Sequence, residues 1–186
     1  MMASAQGGGN GGVGGGHLDE GMADVLDRLR NRFFGKYRGV VSDVDASTMR
    51  IKATVPAVLG DQPTGWARAC VPFAGASMGF AFLPAEQSGV WIEFEGGDVS
   101  LPIWSGCFWH DGEAPSDASD SKLVIVTKAG QEISFDLDGG TITIEDGNGN
   151  TVTLGSDGIS LKTSSQSIEL GSSGVNINQG ALEVTA

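Results

Sequence analysis

Pairs of apolar residues separated by one polar residue recur through the last third of the chain, from Lys122 to Ala186. An apolar residue at every second position is the pattern of a β-strand that buries one face. Gly, Asn and Asp lie between the pairs and supply the positive φ that tight turns need. The pairs recur every seven to ten residues, which predicts a repeat of short strands and turns. After a more apolar run at Leu123–Val126, the pairs are Ile133/Phe135, Ile142/Ile144, Val152/Leu154, Ile159/Leu161, Ile168/Leu170, Val175/Ile177 and Leu182/Val184.

The predicted strands have no covering layer in this part of the sequence. Each strand offers two inward side chains, and no helical pattern accompanies them. A fully buried apolar side chain gains roughly 1.5–3 kcal/mol, so a stripe of this size is not expected to stay in water. Three copies wound around one axis would enclose the stripe in a prism and remove free sheet edges. A single-chain solenoid or a curled sheet is the alternative.

We therefore predict an intertwined homotrimeric, triple-stranded β-helix over residues 122–186, with eight strands in each chain. At about 4.8 Å per strand, this needle would be roughly 40 Å long. The last pair, Leu182 and Val184, would form its tip. The predicted trimer core consists of Ile133, Phe135, Ile142, Ile144, Val152, Leu154, Ile159, Leu161, Ile168, Leu170, Val175 and Ile177.

The composition is acidic, with a net charge of −12 and a pI near 4.3. This charge disfavours a nucleic-acid backbone or an anionic membrane surface as a partner. The sequence has no apolar run long enough to span a membrane and no secretory signal, so export by lysis or inside a larger assembly is expected. Cys70 and Cys107 could pair within one small barrel, but two buried thiols are the favoured interpretation.

The first third of the chain begins with a Gly-rich arm, residues 1–18, which is predicted to be disordered. A short helix is predicted over residues 19–34, because Met22, Val25, Leu26, Leu29 and Phe33 follow helical spacing. Two interpretations of this helix stay open. It could fold back on its own barrel, or it could be an arm that docks on a partner.

Residues 35–110 read as a compact β domain of five or six strands. Residues 111–121 then form a predicted linker to the needle. A domain of this size suits a small barrel of the oligonucleotide/oligosaccharide-binding (OB) type. The fold class is therefore all-β, an OB barrel followed by a β-helix. The predicted strands are Tyr37–Val44, Met49–Val55, Trp66–Val71, Gly89–Phe94 and Leu101–Phe108, with loops at Ala57–Thr64 and Pro72–Pro84.

Several blocks of this domain resemble the phage baseplate assembly protein V family, the central spike family of contractile injection systems. The blocks occur in one order and are Phe34–Val41, Met49–Pro56, Trp66–Gly75, Gly89–Asp98 and Leu101–Trp109. The stretch Gly180–Thr185 also resembles the end of spike needles in extracellular contractile injection systems. The resemblance extends over roughly Phe33–Ala186.

The resemblance implies a central spike whose OB domains trimerise beneath a hub protein and whose needle is driven through a target envelope by sheath contraction. Such a spike assembles in the cytoplasm into a phage tail-like particle and acts outside the cell or at the target envelope. Some relatives carry a lysozyme domain between barrel and needle, or a His-x-His ion site at the tip. This chain has neither, so a PAAR-type tip protein on Leu182 and Val184 is the expected cap.

Candidate catalytic and ion-binding residues are sparse. The two histidines, His17 and His110, do not suggest a triad. Glu93 and Glu95 would lie about 7 Å apart on one strand face, a spacing open to inverting glycosidases, but a solvent-facing strand explains them better.

The Asp146-x-Asn148-x-Asn150 segment, with Asp157 further on, has the outline of a calcium loop but lacks its Gly and merges into the turns. We therefore expect no enzyme activity, no metal and no cofactor. A trimeric OB-fold binding module or an adhesin-like fibre is the alternative function.

Overall fold

The computed structural model describes residues 21–23, 25–26 and 29–185, and the predicted Gly-rich arm lies outside them. The chain divides into two compact units, Met1–His110 and Asp111–Ala186. Apart from short helical segments, the regular structure of the described residues is β, which confirms the all-β fold class. Within this part of the chain, no helix has the length and apolar character needed to span a bilayer.

The first unit contains a five-stranded, OB-like sheet. Its strands lie in the order β2-β1-β6-β7-β3, with β3 parallel to β7 and the other pairs antiparallel. A separate small hairpin, β4 and β5, interrupts the loop predicted at Pro72–Pro84. A one-turn helix, Pro56–Leu59, lies in the other predicted loop. The strands are β1 (Tyr37–Asp45), β2 (Arg50–Thr54), β3 (Arg68–Ala69), β4 (Ala74–Gly75), β5 (Met78–Gly79), β6 (Gly89–Phe94) and β7 (Pro102–Phe108).

One hydrophobic core holds this sheet together. On β6 the side chains of Val90, Ile92 and Phe94 are buried, while those of Trp91 and Glu93 are only half-buried, as strand alternation requires. The core cluster is completed by residues from β1, β2 and β7, by Val55 just after β2 and by Ala67 just before β3. The prediction of buried thiols is wrong for the single chain, since Cys70 and Cys107 are free and exposed.

The helix predicted over residues 19–34 is described in part, and residues 21–23, 25–26 and 29–30 are helical. Its large apolar side chains, Met22, Val25, Leu26 and Leu29, are exposed. Phe33, which the same spacing pattern includes, packs against the barrel core. Both interpretations of the helix stay predictions.

The second unit is one eight-stranded antiparallel sheet in which each strand pairs with its neighbours in sequence. No register shift interrupts any of these pairings. Every apolar pair predicted from the sequence lies on one of these strands. The strands are β8 (Lys122–Val126), β9 (Glu132–Asp136), β10 (Thr141–Glu145), β11 (Thr151–Gly155), β12 (Gly158–Lys162), β13 (Ser167–Gly171), β14 (Gly174–Ile177) and β15 (Leu182–Thr185).

Candidate trimer interface

The strand register of the second unit aligns its apolar side chains into two continuous rows, here called the apolar face. Each of the eight strands contributes one residue to each row. The first row is Leu123, Phe135, Ile142, Leu154, Ile159, Leu170, Val175 and Val184, and the second is Ile125, Ile133, Ile144, Val152, Leu161, Ile168, Ile177 and Leu182. The structure thus brings all predicted core and tip residues onto one face of one sheet.

Most of the apolar face is open to solvent in the single chain. Thirteen of its sixteen side chains are exposed, by fractions between 37% and 58%, and Val152, Val175 and Ile177 are half-buried. Every buried hydrophobic residue among the described residues belongs to the first unit. The second sheet therefore has no apolar core of its own. A contiguous apolar surface of this extent marks an interaction site.

The opposite face of the same sheet is polar. Its middle row runs through Ser134, Thr143, Thr153, Ser160 and Glu169. Ser134 is buried, and the hydroxyl oxygens of Thr143 and Thr153 lie 3.4 Å apart. Because this row consists of hydroxyl-bearing side chains and one carboxylate, it offers no large apolar side chain to bury, and the apolar face is the one that needs a partner.

The turn that resembles a calcium loop is closed by its own hydrogen bonds. Asp146 Oδ1 accepts from the backbone N–H groups of Asn148 and Asn150, each at 2.9 Å. Its Oδ2 accepts from the two side-chain amides, at 3.3 Å for Asn148 and 2.6 Å for Asn150. These donors, with the side chain of Asn150 foremost, lower the pKa of Asp146 to about 2. Both carboxylate oxygens of Asp146 therefore accept hydrogen bonds from within the turn itself.

The carboxylates considered for glycoside hydrolysis do not share a strand face. Strand β6 ends at Phe94, and Glu95 begins a 3₁₀ turn, Glu95–Gly97. Glu93 Oε1 lies 3.3 Å from Lys36 Nζ, which also donates to Ser105 Oγ at 2.8 Å. The expected spacing of about 7 Å assumed that both carboxylates lie on β6. This assumption is wrong, because β6 ends one residue before Glu95.

Two surface features of the first unit are not anticipated from the sequence. The guanidinium of Arg38 lies 5.7 Å from the ring centroid of Trp91 and 5.8 Å from that of Phe108. The hairpin of β4 and β5 and the residues on either side of it expose Phe73, Met78, Phe80 and Phe82. Alternation of apolar residues from Met78 to Phe82 is a signal that could have indicated the second feature.

Two family models match the chain. Residues 37–109 match the type VI secretion system/phage-baseplate injector OB domain, and residues 122–183 match the phage baseplate V C-terminal trimerisation domain. The chain belongs to the phage baseplate assembly protein V family. No curated protein matches it with significance.

Membership of the baseplate V family gives the protein a structural role in the baseplate or spike of a phage or type VI-like apparatus. This family is one of structural proteins and not a known enzyme family. The trimerisation match contains all but one of the residues on the apolar face, since it ends at position 183. The trimerisation match and the exposed apolar face therefore lie in the same part of the chain.

Proposed function

We propose that this baseplate V protein forms a homotrimer whose three apolar faces pack around one axis as the central spike of a contractile injection apparatus. The observation that carries the proposal is the exposed pair of apolar rows, which no other part of the second unit covers. Each half-exposed side chain would gain on the order of 1 kcal/mol when it is enclosed. Thirteen such side chains per chain provide a strong drive for closure.

The strand pairing bears on how the three chains meet. From the sequence alone, three narrow strips wound around one axis are expected to close into a prism. In the structure, each strand of the second unit pairs with its sequence neighbours in the same chain. This pairing favours a trimer in which each chain contributes one whole sheet as a wall of the prism. Backbone hydrogen bonds would then lie mainly within chains, and side-chain packing would join the walls.

A closed prism of this kind suits mechanical work without turnover. Eight strands stacked along the axis, at about 4.8 Å per strand, give a rigid body roughly 40 Å long. Sheath contraction would drive this body through the envelope of the target cell, and the particle that carries it would assemble in the cytoplasm. A baseplate hub or tube-initiator protein would bind on the side of the OB domains.

A PAAR-type tip protein is the proposed partner at the other end. Strand β15 has one neighbour, β14, so its second edge is unpaired within the sheet. Leu182 and Val184 on this strand are more than half exposed. These two side chains end the apolar rows and would form an apolar seat for the cap.

Native mass tests the proposed trimer directly. Light scattering on a size-exclusion column should give a mass near three times the 19.1 kDa of the chain. We expect this species to persist in warm detergent, because its core would be shared among three chains. A clean monomer would contradict the proposal, since the apolar face would then be stable in water.

A further inference from the structure

The N-terminal helical segment, described at residues 21–23, 25–26 and 29–30, leaves its large apolar side chains exposed. Met22, Val25, Leu26 and Leu29 are exposed by fractions between 46% and 63%. A helix of this length is marginal in water without packing, because nucleation is costly and few hydrogen bonds repay it. The segment therefore needs a surface to pack against in the assembled protein.

The segment is attached firmly to the barrel at its C-terminal end. The backbone N–H of Phe33 donates to the carbonyl of Gly97 at 2.9 Å. Arg32 Nη1 donates to the carbonyl of Gly96 at 3.1 Å and lies 3.5 Å from Asp98 Oδ2. The Phe33 ring packs edge-on against Phe94, with 6.4 Å between the ring centroids. The helix therefore leaves the barrel from a fixed point.

A glycine makes this attachment possible. Gly97 has φ of +76°, and a Cβ there would lie 3.0 Å from both the Arg32 Cβ and the Phe33 nitrogen. Because Gly97 has no side chain, the backbone just after the helix can pack directly against the barrel. What remains free is the apolar side of the helix itself.

Three of the four exposed residues have the spacing of one heptad of a coiled-coil seam. Met22, Leu26 and Leu29 are separated by four and then three residues, which places them at successive d, a and d positions of a heptad. Val25 would flank the seam at position g. A narrow seam of this kind fits the same seam of another helix better than it fits a flat surface.

We propose that the N-terminal helices of the three copies pack against one another along Met22, Leu26 and Leu29. This inference rests on the trimer proposed above. The segment of residues 111–121 can extend no more than about 40 Å, so three trimerised second units keep their barrels and helices near one another. Tethering of this order gives an effective concentration in the millimolar range, which can stabilise a seam that is too short to associate when free.

Disulfide cross-linking in the full-length protein tests the helix contact. Cys70 and Cys107 are first changed to Ser, and a single cysteine is then introduced as Leu26→Cys in the seam. Gly21→Cys, at the outward c position, and Asn31→Cys, in the turn that follows the helix, are the matched controls. We expect mild oxidation to join two of the three chains in the Leu26→Cys trimer and to leave both controls largely uncrosslinked.

Light scattering on the same samples separates the two proposals. A trimeric mass with no cross-link at Leu26→Cys, or with equal cross-linking in the controls, would overturn the helix contact and leave the trimer standing. That outcome would point to the hub protein as the occupant of the seam. A monomeric mass would overturn both proposals.

A second variant measures the same contact without oxidation. Leu26→Asp combined with Leu29→Asp should reduce the helical circular dichroism signal and leave the trimeric mass unchanged, because the needle holds the chains together. An undiminished helical signal would contradict packing through the seam.

Discussion

At the residue scale, one substitution on the apolar face should dissociate the proposed trimer into single chains. Ile144 lies on β10 in the second apolar row, with Ile133 and Val152 as its cross-strand neighbours. Ile144→Asp would place three carboxylates near the proposed axis, and an unpaired buried charge costs several kcal/mol. We expect native mass to fall to that of the monomer.

Thr143→Asp is the matched control for this change, because Thr143 lies next to Ile144 on the same strand but faces the polar side. This variant should remain trimeric. A trimeric Ile144→Asp protein would place the residue outside the core.

The turn carboxylate Asp146 predicts a dependence on pH. The folded-state pKa of Asp146 is about 2, below the ordinary value of 3.8, because the two Asn residues donate to the charged form. Its contribution to stability is therefore complete above about pH 4 and is lost as pH falls toward 2. Asp146→Ala should lower the melting temperature at pH 7 and make little difference near pH 2.

Asp138→Ala, in another turn of the same sheet, is the control and should have a smaller effect at pH 7. An Asp146→Ala protein that melts at the wild-type temperature at pH 7 would show that these hydrogen bonds do not hold the turn.

At the element scale, the turns of the second sheet set its strand register. Gly158 begins β12 with φ of +124°, and a Cβ there would lie 1.8 Å from the carbonyl oxygen of Leu170 on β13. Gly158→Ala should therefore push β12 and β13 apart and cost several kcal/mol. Chemical denaturation of the trimer measures this loss.

Gly149→Ala is the control, because Gly149 also has positive φ, at +82°, but no atom lies within 4 Å of the added Cβ. It should cost only about 1–2 kcal/mol, the strain of a left-handed conformation. Equal losses for the two variants would mean that backbone strain, and not the contact with β13, limits position 158.

At the scale of the whole molecule, the two units should differ in their need for partners. The buried hydrophobic cluster lies entirely within the first unit. A chain that ends at His110 should therefore fold by itself, with trimerisation weakened or lost. Light scattering and thermal melting check this expectation. A truncated chain as stably trimeric as the full chain would mean that the second unit is not the main clamp.

Some features of the first unit could be predicted from the sequence only in part. The alternation on β6 is local, so Val90, Ile92 and Phe94 are recognisable as core residues. The exposure of Cys70 and Cys107 depends on which side of the barrel each strand presents, which no local pattern records. The end of β6 before Glu95 depends on Gly96 and Gly97, whose positive φ turns the chain. The docking of Arg32 and Phe33 joins segments more than sixty residues apart.

The sequence by itself determined the repeat, the strand positions and the apolar identity of the needle residues, because period-two alternation and Gly-rich turns act over a few neighbouring residues. Only the tertiary structure decided that each strand pairs with its sequence neighbours in the same chain, because alternation marks the buried face of a strand but does not specify its hydrogen-bonding partner. The same pairing decided that the apolar pairs form two unbroken rows on one face. Those rows are exposed in one chain, and in the proposed trimer their burial is the physical reason for three copies to assemble.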